Sequence, residues 1–110
     1  MLSTDGFMQR AVGRARAGRL YLTFVPGLAE WHTRIERPIK MGSTKDCILA
    51  QLFGGYREGV DALGLDDVET VELGFRGSTT ELRSVAAFGQ YYKILSASWE
   101  LERTRHDIRS

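Results

Sequence analysis

The sequence predicts an all-α fold, a small bundle of four or five helices that spans residues 1–110 as one globular domain. Apolar side chains recur at intervals of three and four residues in several segments, which is the spacing of one helix face. Residues that commonly cap or end helices, such as Ser, Asp, Pro and Gly, border these segments. Because a chain of 110 residues with 43% hydrophobic content forms one core, we expect no second domain.

The first predicted helix runs from about Gly6 to Phe24, and Pro26 with Gly27 ends it. Three residues ahead of it are candidate N-caps: Ser3, Thr4 and Asp5. Its predicted core face consists of Phe7, Met8, Ala11, Val12, Ala15, Leu22 and Val25. Two glycines inside the segment, Gly13 and Gly18, weaken the prediction for its second half.

A short second helix is predicted to open at Pro26 and to run through His32, with the Trp31 indole folded onto the first helix. The following segment, residues 34–42, is predicted to be extended, because Pro38 disfavours a helical conformation at the residue before it.

Ser43 and Asp46 match a capping box ahead of a core helix over residues 47–53, which Gly54 ends. Its apolar face consists of Ile48, Leu49, Leu52, Phe53 and Tyr56. Residues 57–65 are predicted to add one helical turn followed by a break at the glycines.

Asp66 predicts the cap of a short acidic helix over residues 67–73, with Gly74 at its left-handed end. A short strand over residues 68–75 is the competing interpretation, because Val68 and Val71 are β-branched. The acidic start and the flanking cap residues favour the helix.

Ser78 and Glu81 form a second capping-box match, which places the start of the last helix near Thr79. Gly89 either breaks this helix or only weakens it. From residue 90 to about residue 107 the amphipathic pattern is the strongest of the chain. One face carries Phe88, Tyr91, Tyr92, Ile94, Leu95, Trp99 and Leu101, and the opposite face carries Lys93, Ser96, Glu100 and Arg103.

Composition limits the class of protein. No apolar run approaches the roughly 18 residues of a membrane span, and the N-terminus does not match an export signal. A single cysteine requires no oxidising compartment, so we expect a soluble, cytoplasmic protein. With one Cys and two His, a zinc site built from these residue types lacks a fourth ligand, so no metal and no cofactor is predicted.

Charge is uneven along the chain although the net charge is only +1. Residues 1–45 carry eight basic and three acidic groups, residues 46–82 carry two and eight, and residues 83–110 carry five and three. This asymmetry leaves three interpretations open: self-complementary packing, an oriented dipole for a partner, and chance.

Cys47 is the one candidate nucleophile, with His32 or His106 as its base. It is predicted in the first turn of a helix, where the helix dipole would lower its pKa. Because a lone Cys beside an apolar helix is usually a packed hydrophobic residue, we predict that the protein is not an enzyme.

Two kinds of binding surface are suggested. Trp31, Tyr56 and Tyr92 are candidate protein-binding residues, because aromatic side chains dominate interface hot spots. The alternative is a small DNA-binding or regulatory protein that uses four arginines of the first helix. These are Arg10, Arg14, Arg16 and Arg19, and on a helical wheel they surround the core face without forming a stripe.

Several segments resemble a group of small hypothetical proteins of actinobacteria and actinobacterial phages. They are VPGLAEW (25–31), DCILAQLFG (46–54), GVDALGL (59–65), ELGF (72–75) and the closing helix around Trp99 (92–102). The group is similar in a C-[VI]-L-G-Q-L-[FY]-G pattern, in which this chain has Ala50 in place of Gly. The resemblance covers about residues 25–103. It implies a phage or actinobacterial origin and carries no catalytic residue across.

Together these observations predict a small non-enzymatic protein that binds a host or phage protein in the cytoplasm. Binding of nucleic acid is the alternative, association with a membrane is not expected, and a homo-oligomer remains open. The phage setting suggests a role in host interaction or counter-defence.

Overall fold

In a computed structural model the chain folds into five α-helices and one 3₁₀ turn, and the part of the chain that is described contains no β-strand. The structure describes the backbone of residues 4–109 and the side chains of residue 6 and residues 8–105. The helices are α1 (Thr4–Phe24), α2 (Ile48–Phe53), α3 (Tyr56–Leu63), α4 (Asp67–Glu72) and α5 (Val85–Arg109), and the 3₁₀ turn is Trp31–Arg34. The predicted all-α class is confirmed.

The two long helices, α1 and α5, form the most extensive contact of the fold. Contacts follow the same order along both helices, from Arg14 with Tyr91 to Arg19 with Glu102, so α1 and α5 run parallel. Helix α4 lies against α1, α2 packs on α3, and the 3₁₀ turn contacts α2 and α5. No helix among the described residues has the length and apolar character needed to cross a membrane.

The buried face of α1 differs in part from the predicted face. Ala11, Ala15 and Leu22 are fully buried as expected, whereas Met8 is 48% exposed and Gly18 is buried. The Phe7 side chain and the candidate caps at residues 3–5 lie outside the described side chains. The face of α1 that packs on α5 includes small residues, because small residues allow two helices to approach closely. Hydrophobicity alone does not identify such positions.

The closest approach in the fold lies around Trp99. Its Nε1 donates a hydrogen bond of 2.8 Å to the carbonyl oxygen of Gly74. A Cβ atom at Gly18 would overlap both the Trp99 ring and the Leu73 carbonyl oxygen. Gly74 has a φ of 72°, and a Cβ there would lie 2.8 Å from the Arg14 backbone. Both glycines are therefore required by the packing of α1 against α4 and α5.

The predicted capping box at Ser43 does not start α2. The Ser43 hydroxyl accepts hydrogen bonds from the amides of Lys45 and Asp46 and closes a turn instead. Helix α2 begins one turn later, with Cys47 as its N-cap and the Cys47 sulfur accepting from the Ala50 amide at 3.4 Å. Cys47 thus lies before the helix, and the expected position in its first turn is wrong.

From α2 to α4 the helix ends follow the local signals, but the single turn predicted over residues 57–65 is wrong, because α3 has eight residues and continues through Gly59. Gly54 and Gly64 end α2 and α3 in the left-handed conformation. Asp66 and Glu69 form a complete capping box at the start of α4, so the alternative of a strand over residues 68–75 is wrong. Gly59 packs close to Leu49 and brings α3 against α2.

Helix α5 starts at Val85 and not near Thr79 as expected. The Ser78 hydroxyl accepts from the Glu81 amide in a turn, but the Glu81 carboxylate binds arginines of α1 and does not complete the box. The Ser84 hydroxyl accepts from the Ala87 amide at 3.0 Å. Helix α5 continues through Gly89 without a break.

Of the seven predicted core residues of α5, three are buried. Tyr91, Leu95 and Trp99 are buried, whereas Leu101 is 57% exposed.

The predicted helix from Pro26 through His32 is wrong in its bounds: Gly27 has a positive φ, residues 25–30 form no helix, and only Trp31–Arg34 is helical, as a 3₁₀ turn. The Trp31 indole is fully buried but meets Trp99 of α5 edge to face, with ring centroids 5.7 Å apart. Its expected partner was the first helix.

We expect the substitution Gly18→Ala to lower the free energy of unfolding by about 2 kcal/mol, because the added methyl group overpacks the contact with Trp99. Urea denaturation followed by circular dichroism measures this change. The matched control is Gly13→Ala, where a Cβ meets no atom within 4 Å and helix propensity raises the stability by up to ~1 kcal/mol. Equal stability of the two variants would contradict the packing described for Gly18.

Candidate protein-binding groove

A groove runs between the segment 39–43 and one face of α5. Its volume is about 430 Å³, and it is called the Tyr92 groove below. The lining residues are Ile39, Lys40, Gly42, Ser43, Gly89, Tyr92, Lys93 and Ser96. Of the three residues that the sequence suggests for protein binding, Tyr92 is the one that lines this groove.

Two side chains of α5 hold the outer wall of the groove in place. Ser96 Oγ accepts a hydrogen bond of 2.8 Å from the Met41 amide, and Glu100 Oε2 accepts one of 3.0 Å from the Ile39 amide. Ser96 and Glu100 are four residues apart and share a helix face. Residues 39 and 41 point the same way in an extended segment. The spacing of the two acceptors on α5 matches the spacing of the two backbone amides, so the two hydrogen bonds hold the segment alongside the helix.

The residues on either side of this segment are held by Gln51 of α2. The Gln51 side chain accepts hydrogen bonds from the amides of Glu36 and Arg37, and it donates to the carbonyl oxygens of Arg37 and Asp46. An ion pair of 2.8 Å joins Arg37 Nε to Asp46 Oδ1. The wall is therefore anchored to both α2 and α5 before any partner binds.

Tyr92 forms the aromatic wall of the groove and is itself held in position. Its hydroxyl accepts a hydrogen bond of 2.8 Å from the Gly77 amide. Its ring stacks on Phe88 with centroids 6.2 Å apart. On the groove side the ring faces Gly42, where a Cβ would lie 3.5 Å from Tyr92 Cγ. The ring is half-buried and presents one side to solvent.

An apolar strip continues the groove along α5. Val85, Gly89 and Tyr92 lie four and three residues apart, so they share one helix face. Val85 is 90% exposed, and a Cβ at Gly89 would meet no atom within 4 Å. The floor of the groove is thus open beside an exposed apolar side chain.

The charges of the groove are all positive. Lys40 and Lys93 are exposed, and the lining residues include no carboxylate. Two carboxylates of the neighbouring segments have other partners, since Glu100 pairs with Arg103 and Asp46 pairs with Arg37. The groove therefore combines an aromatic wall with two ammonium groups that have no carboxylate within ion-pair distance in the described structure.

The other two aromatic candidates lie elsewhere. Trp31 is fully buried in the core and presents no surface to a partner. Tyr56 is half-buried at the start of α3, and burial raises the pKa of its hydroxyl. Tyr56 does not line the Tyr92 groove, so the structure does not bring the three candidates together.

Three of the four candidate nucleic-acid-binding arginines make ion pairs within the fold. Arg10 and Arg14 both bind Glu81, at 2.9 and 2.8 Å, and Arg19 binds the buried Glu102. Arg16 is exposed and is the one of the four that makes no ion pair within the described side chains. The basic first third and the acidic middle of the chain meet at the Arg14–Glu81 pair, which is the self-complementary packing considered for the charge asymmetry.

Arg14 makes three side-chain hydrogen bonds to two residues. Its guanidinium donates two hydrogen bonds to Glu81 and one of 2.9 Å to the Tyr91 hydroxyl. The hydrogen bond to Glu81 raises the pKa of the Arg14 guanidinium and lowers that of the carboxyl. A cleft of about 440 Å³ beside this pair also contains Arg76, whose guanidinium donates to Thr70 and Gly77. Both arginines are thus occupied by the protein itself.

Cys47 is buried, and burial raises the pKa of its thiol. The predicted lowering of this pKa by a helix dipole is wrong, because the thiolate loses more stabilisation from lost hydration than it gains from the helix N-terminus. His106, one of its two candidate bases, lies outside the described side chains. Within the described part of the chain no group of three His, Cys, Asp or Glu residues could hold a metal ion.

Sequence reasoning missed the residues that build the groove. Ser96 and Glu100 were assigned to the solvent face of the last helix, although both bind the segment 39–41. Their spacing of four residues on the polar face was a signal for a shared polar partner. Gln51 carried no such signal, because its four hydrogen bonds depend on where the extended segment lies.

We expect the stability of the protein to fall in acid partly through Glu81. Folding lowers the pKa of this carboxyl below its ordinary value of 4.5. Its contribution is therefore present above that value and is lost as the pH falls through the lower pKa of the folded state. Glu81→Gln should lower the free energy of unfolding by about 1–3 kcal/mol at neutral pH and flatten its decline in acid. Urea denaturation as a function of pH tests this, and parallel curves for the two proteins would contradict it.

We expect the Cys47 thiol to react with a disulfide reagent such as dithionitrobenzoate at least about 100-fold more slowly in the native protein than in urea. Burial and the raised pKa both reduce the accessible thiolate. The measurement is the rate of thionitrobenzoate release at fixed pH. A native rate close to the unfolded rate would show that the thiol is accessible and would revive Cys47 as a nucleophile.

Comparison with protein-family models, with curated proteins and with solved structures yields no match to this chain. Its function must therefore be argued from the chemistry of its own surface.

Proposed function

We propose that this chain is a small non-enzymatic protein-binding module and that the Tyr92 groove is its binding site. The observation that carries the proposal is the combination in one groove of an ordered aromatic ring and two lysines without carboxylate partners. Aromatic side chains and unsatisfied charges are the groups from which protein interfaces gain affinity and specificity. Among the aromatic residues suggested by the sequence, Tyr92 is the one that lines this groove beside the two lysines.

The rigidity of the groove supports a binding role. Its wall is fixed by Ser96 and Glu100 on one side and by Gln51 on the other. A site that is already ordered loses little conformational entropy when a partner binds, so fewer contacts suffice for a given affinity. A volume of about 430 Å³ accommodates a few side chains of a partner, which suits a short segment better than a folded domain.

The alternative of a nucleic-acid-binding helix has less support. Arg10, Arg14 and Arg19 are engaged by Glu81 and Glu102. Binding phosphates would require breaking these pairs and leaving Glu102, which is 2% exposed, as an uncompensated charge. The non-enzymatic part of the proposal is supported by Cys47, whose thiol is buried and has a raised pKa.

The resemblance to small proteins of actinobacteria and their phages supplies the setting of the proposal. In that setting the partner is a host or phage protein in the cytoplasm of the bacterial cell, and the action is host interaction or counter-defence. The partner is identified by capture from an actinobacterial lysate treated with nuclease, so that proteins bridged by nucleic acid are removed.

The matched pair Gly89→Tyr and Gly13→Tyr tests the groove itself. Both glycines lie inside long helices, and a Cβ at either position meets no atom within 4 Å. Gly89 lines the groove, so a tyrosine side chain there should fill it, whereas Gly13 lies on α1 away from it. We expect partner capture by the wild type and by Gly13→Tyr, and at least about tenfold less capture by Gly89→Tyr.

Mass spectrometry of the captured proteins gives the readout, and circular dichroism confirms that both variants are folded. Equal capture of the same protein by all three forms would remove the groove as the binding site. Loss of all capture on nuclease treatment would favour nucleic acid as the ligand.

A further inference from the structure

The arginines and the lysines of this chain are used differently. Seven arginines make ion pairs: Arg10, Arg14, Arg19, Arg37, Arg76, Arg103 and Arg105. None of the three lysines makes one with any described residue, and two of the three, Lys40 and Lys93, lie on the Tyr92 groove. The folded chain thus pairs seven of its twelve arginines with carboxylates and leaves two lysines at the groove without an ion pair to any described residue.

We propose that the Tyr92 groove binds an acidic segment of the partner protein. In this arrangement an apolar side chain of the segment lies against Tyr92 and Val85, and carboxylates before and after it pair with Lys40 and Lys93. The inference deepens the proposed function and rests on it, because it names the chemistry of the segment that occupies the groove.

Charge complementarity is the first argument for this occupant. Neither lysine makes an ion pair within the described residues: Glu100 is bound to the Ile39 amide and to Arg103, Asp46 is bound to Arg37, and Glu36 pairs with neither lysine. A partner that brings its own carboxylates therefore gains two ion pairs without breaking any in the fold. A basic segment would face uncompensated repulsion at the same positions.

The apolar part of the groove selects a segment with a large side chain between its acidic residues. Gly89 leaves the floor open between Val85 and the Tyr92 ring, and Ile39 lines the opposite wall. An aromatic or long aliphatic side chain fills this space and buries apolar surface on both sides. The carboxylates then flank the buried side chain, since the lysines lie on the two elements that border the groove.

The groove suits a peptide better than a polyanion. Affinity for a nucleic acid grows with the number of phosphates that are neutralised, and two lysines offer few such contacts. The Tyr92 ring in the groove and the exposed Val85 side chain beside it add nothing to the binding of a phosphate backbone. A segment that carries both carboxylates and an apolar side chain uses every group that the groove presents.

The probe is a synthetic acidic peptide, Gly-Glu-Glu-Phe-Glu-Glu-Gly, titrated into the labelled full-length protein and followed by amide shifts in two-dimensional NMR. We expect saturable shifts that cluster at residues 39–43 and 85–96. We also expect the dissociation constant to rise with the salt concentration. The control peptide replaces each Glu with Gln and should bind roughly tenfold more weakly.

Three charge reversals provide matched variants. Lys40→Glu and Lys93→Glu should each weaken binding of the acidic peptide about fivefold or more, because attraction becomes repulsion. Lys45→Glu changes the net charge by the same amount on the same loop but does not line the groove, so it should have little effect. The double variant at Lys40 and Lys93 should instead bind the charge-reversed peptide Gly-Lys-Lys-Phe-Lys-Lys-Gly.

The outcomes separate this inference from the function on which it rests. If Gly89→Tyr abolishes partner capture while Lys40→Glu and Lys93→Glu leave it unchanged, the groove binds protein but not through an acidic segment, and the inference fails alone. If none of the three variants changes capture, both fail. Absence of saturable shifts at millimolar peptide, or equal shifts with inorganic phosphate or polyuridylate, would overturn the acidic-peptide assignment.

Discussion

The buried indole of Trp99 holds the separate parts of this fold together. It donates a hydrogen bond to the Gly74 carbonyl oxygen, stacks on Phe75 and meets Trp31 edge to face. Its outer edge occupies the space that a side chain at Gly18 would take. One ring thus contacts α1, the chain after α4 and the 3₁₀ turn, and large aromatic surfaces of this kind contribute strongly to core stability. The positions of these elements relative to α5 follow from it.

Ion pairs add to the contact between the parallel helices α1 and α5. Glu102 is buried and bound by Arg19, and Glu81 is bound by Arg14 ahead of α5. Such pairs add little to stability when compared with apolar packing, but a shifted helix would leave a buried charge without its partner. The arginines of α1 therefore favour one register of the two long helices. This structural use also explains why a helix rich in arginine presents so little free positive charge.

The Tyr92 groove inherits its geometry from the same core. One face of α5 carries Trp99 into the interior, while the neighbouring face carries Ser96 and Glu100 to the segment 39–41. Because one rigid helix serves both purposes, the distance between the groove walls is determined by core packing and not by a flexible loop. In the proposed function, Lys40 and Lys93 lie at the edges of a groove whose walls are ordered before the partner binds, which lowers the entropic cost of binding.

Most of the helices could be predicted from local patterns, because capping and periodicity act over a few neighbouring residues. Gly54 and Gly64 end their helices as predicted, and the all-α class follows from such local signals. Which groups meet across the fold could not be predicted in this way. Gly18 has no side chain to mark it as core, Glu81 binds an arginine 67 residues away and so starts no helix, and Ser96 has its partner in the segment 39–43. Each depends on a close approach between distant parts of the chain, which local patterns do not encode.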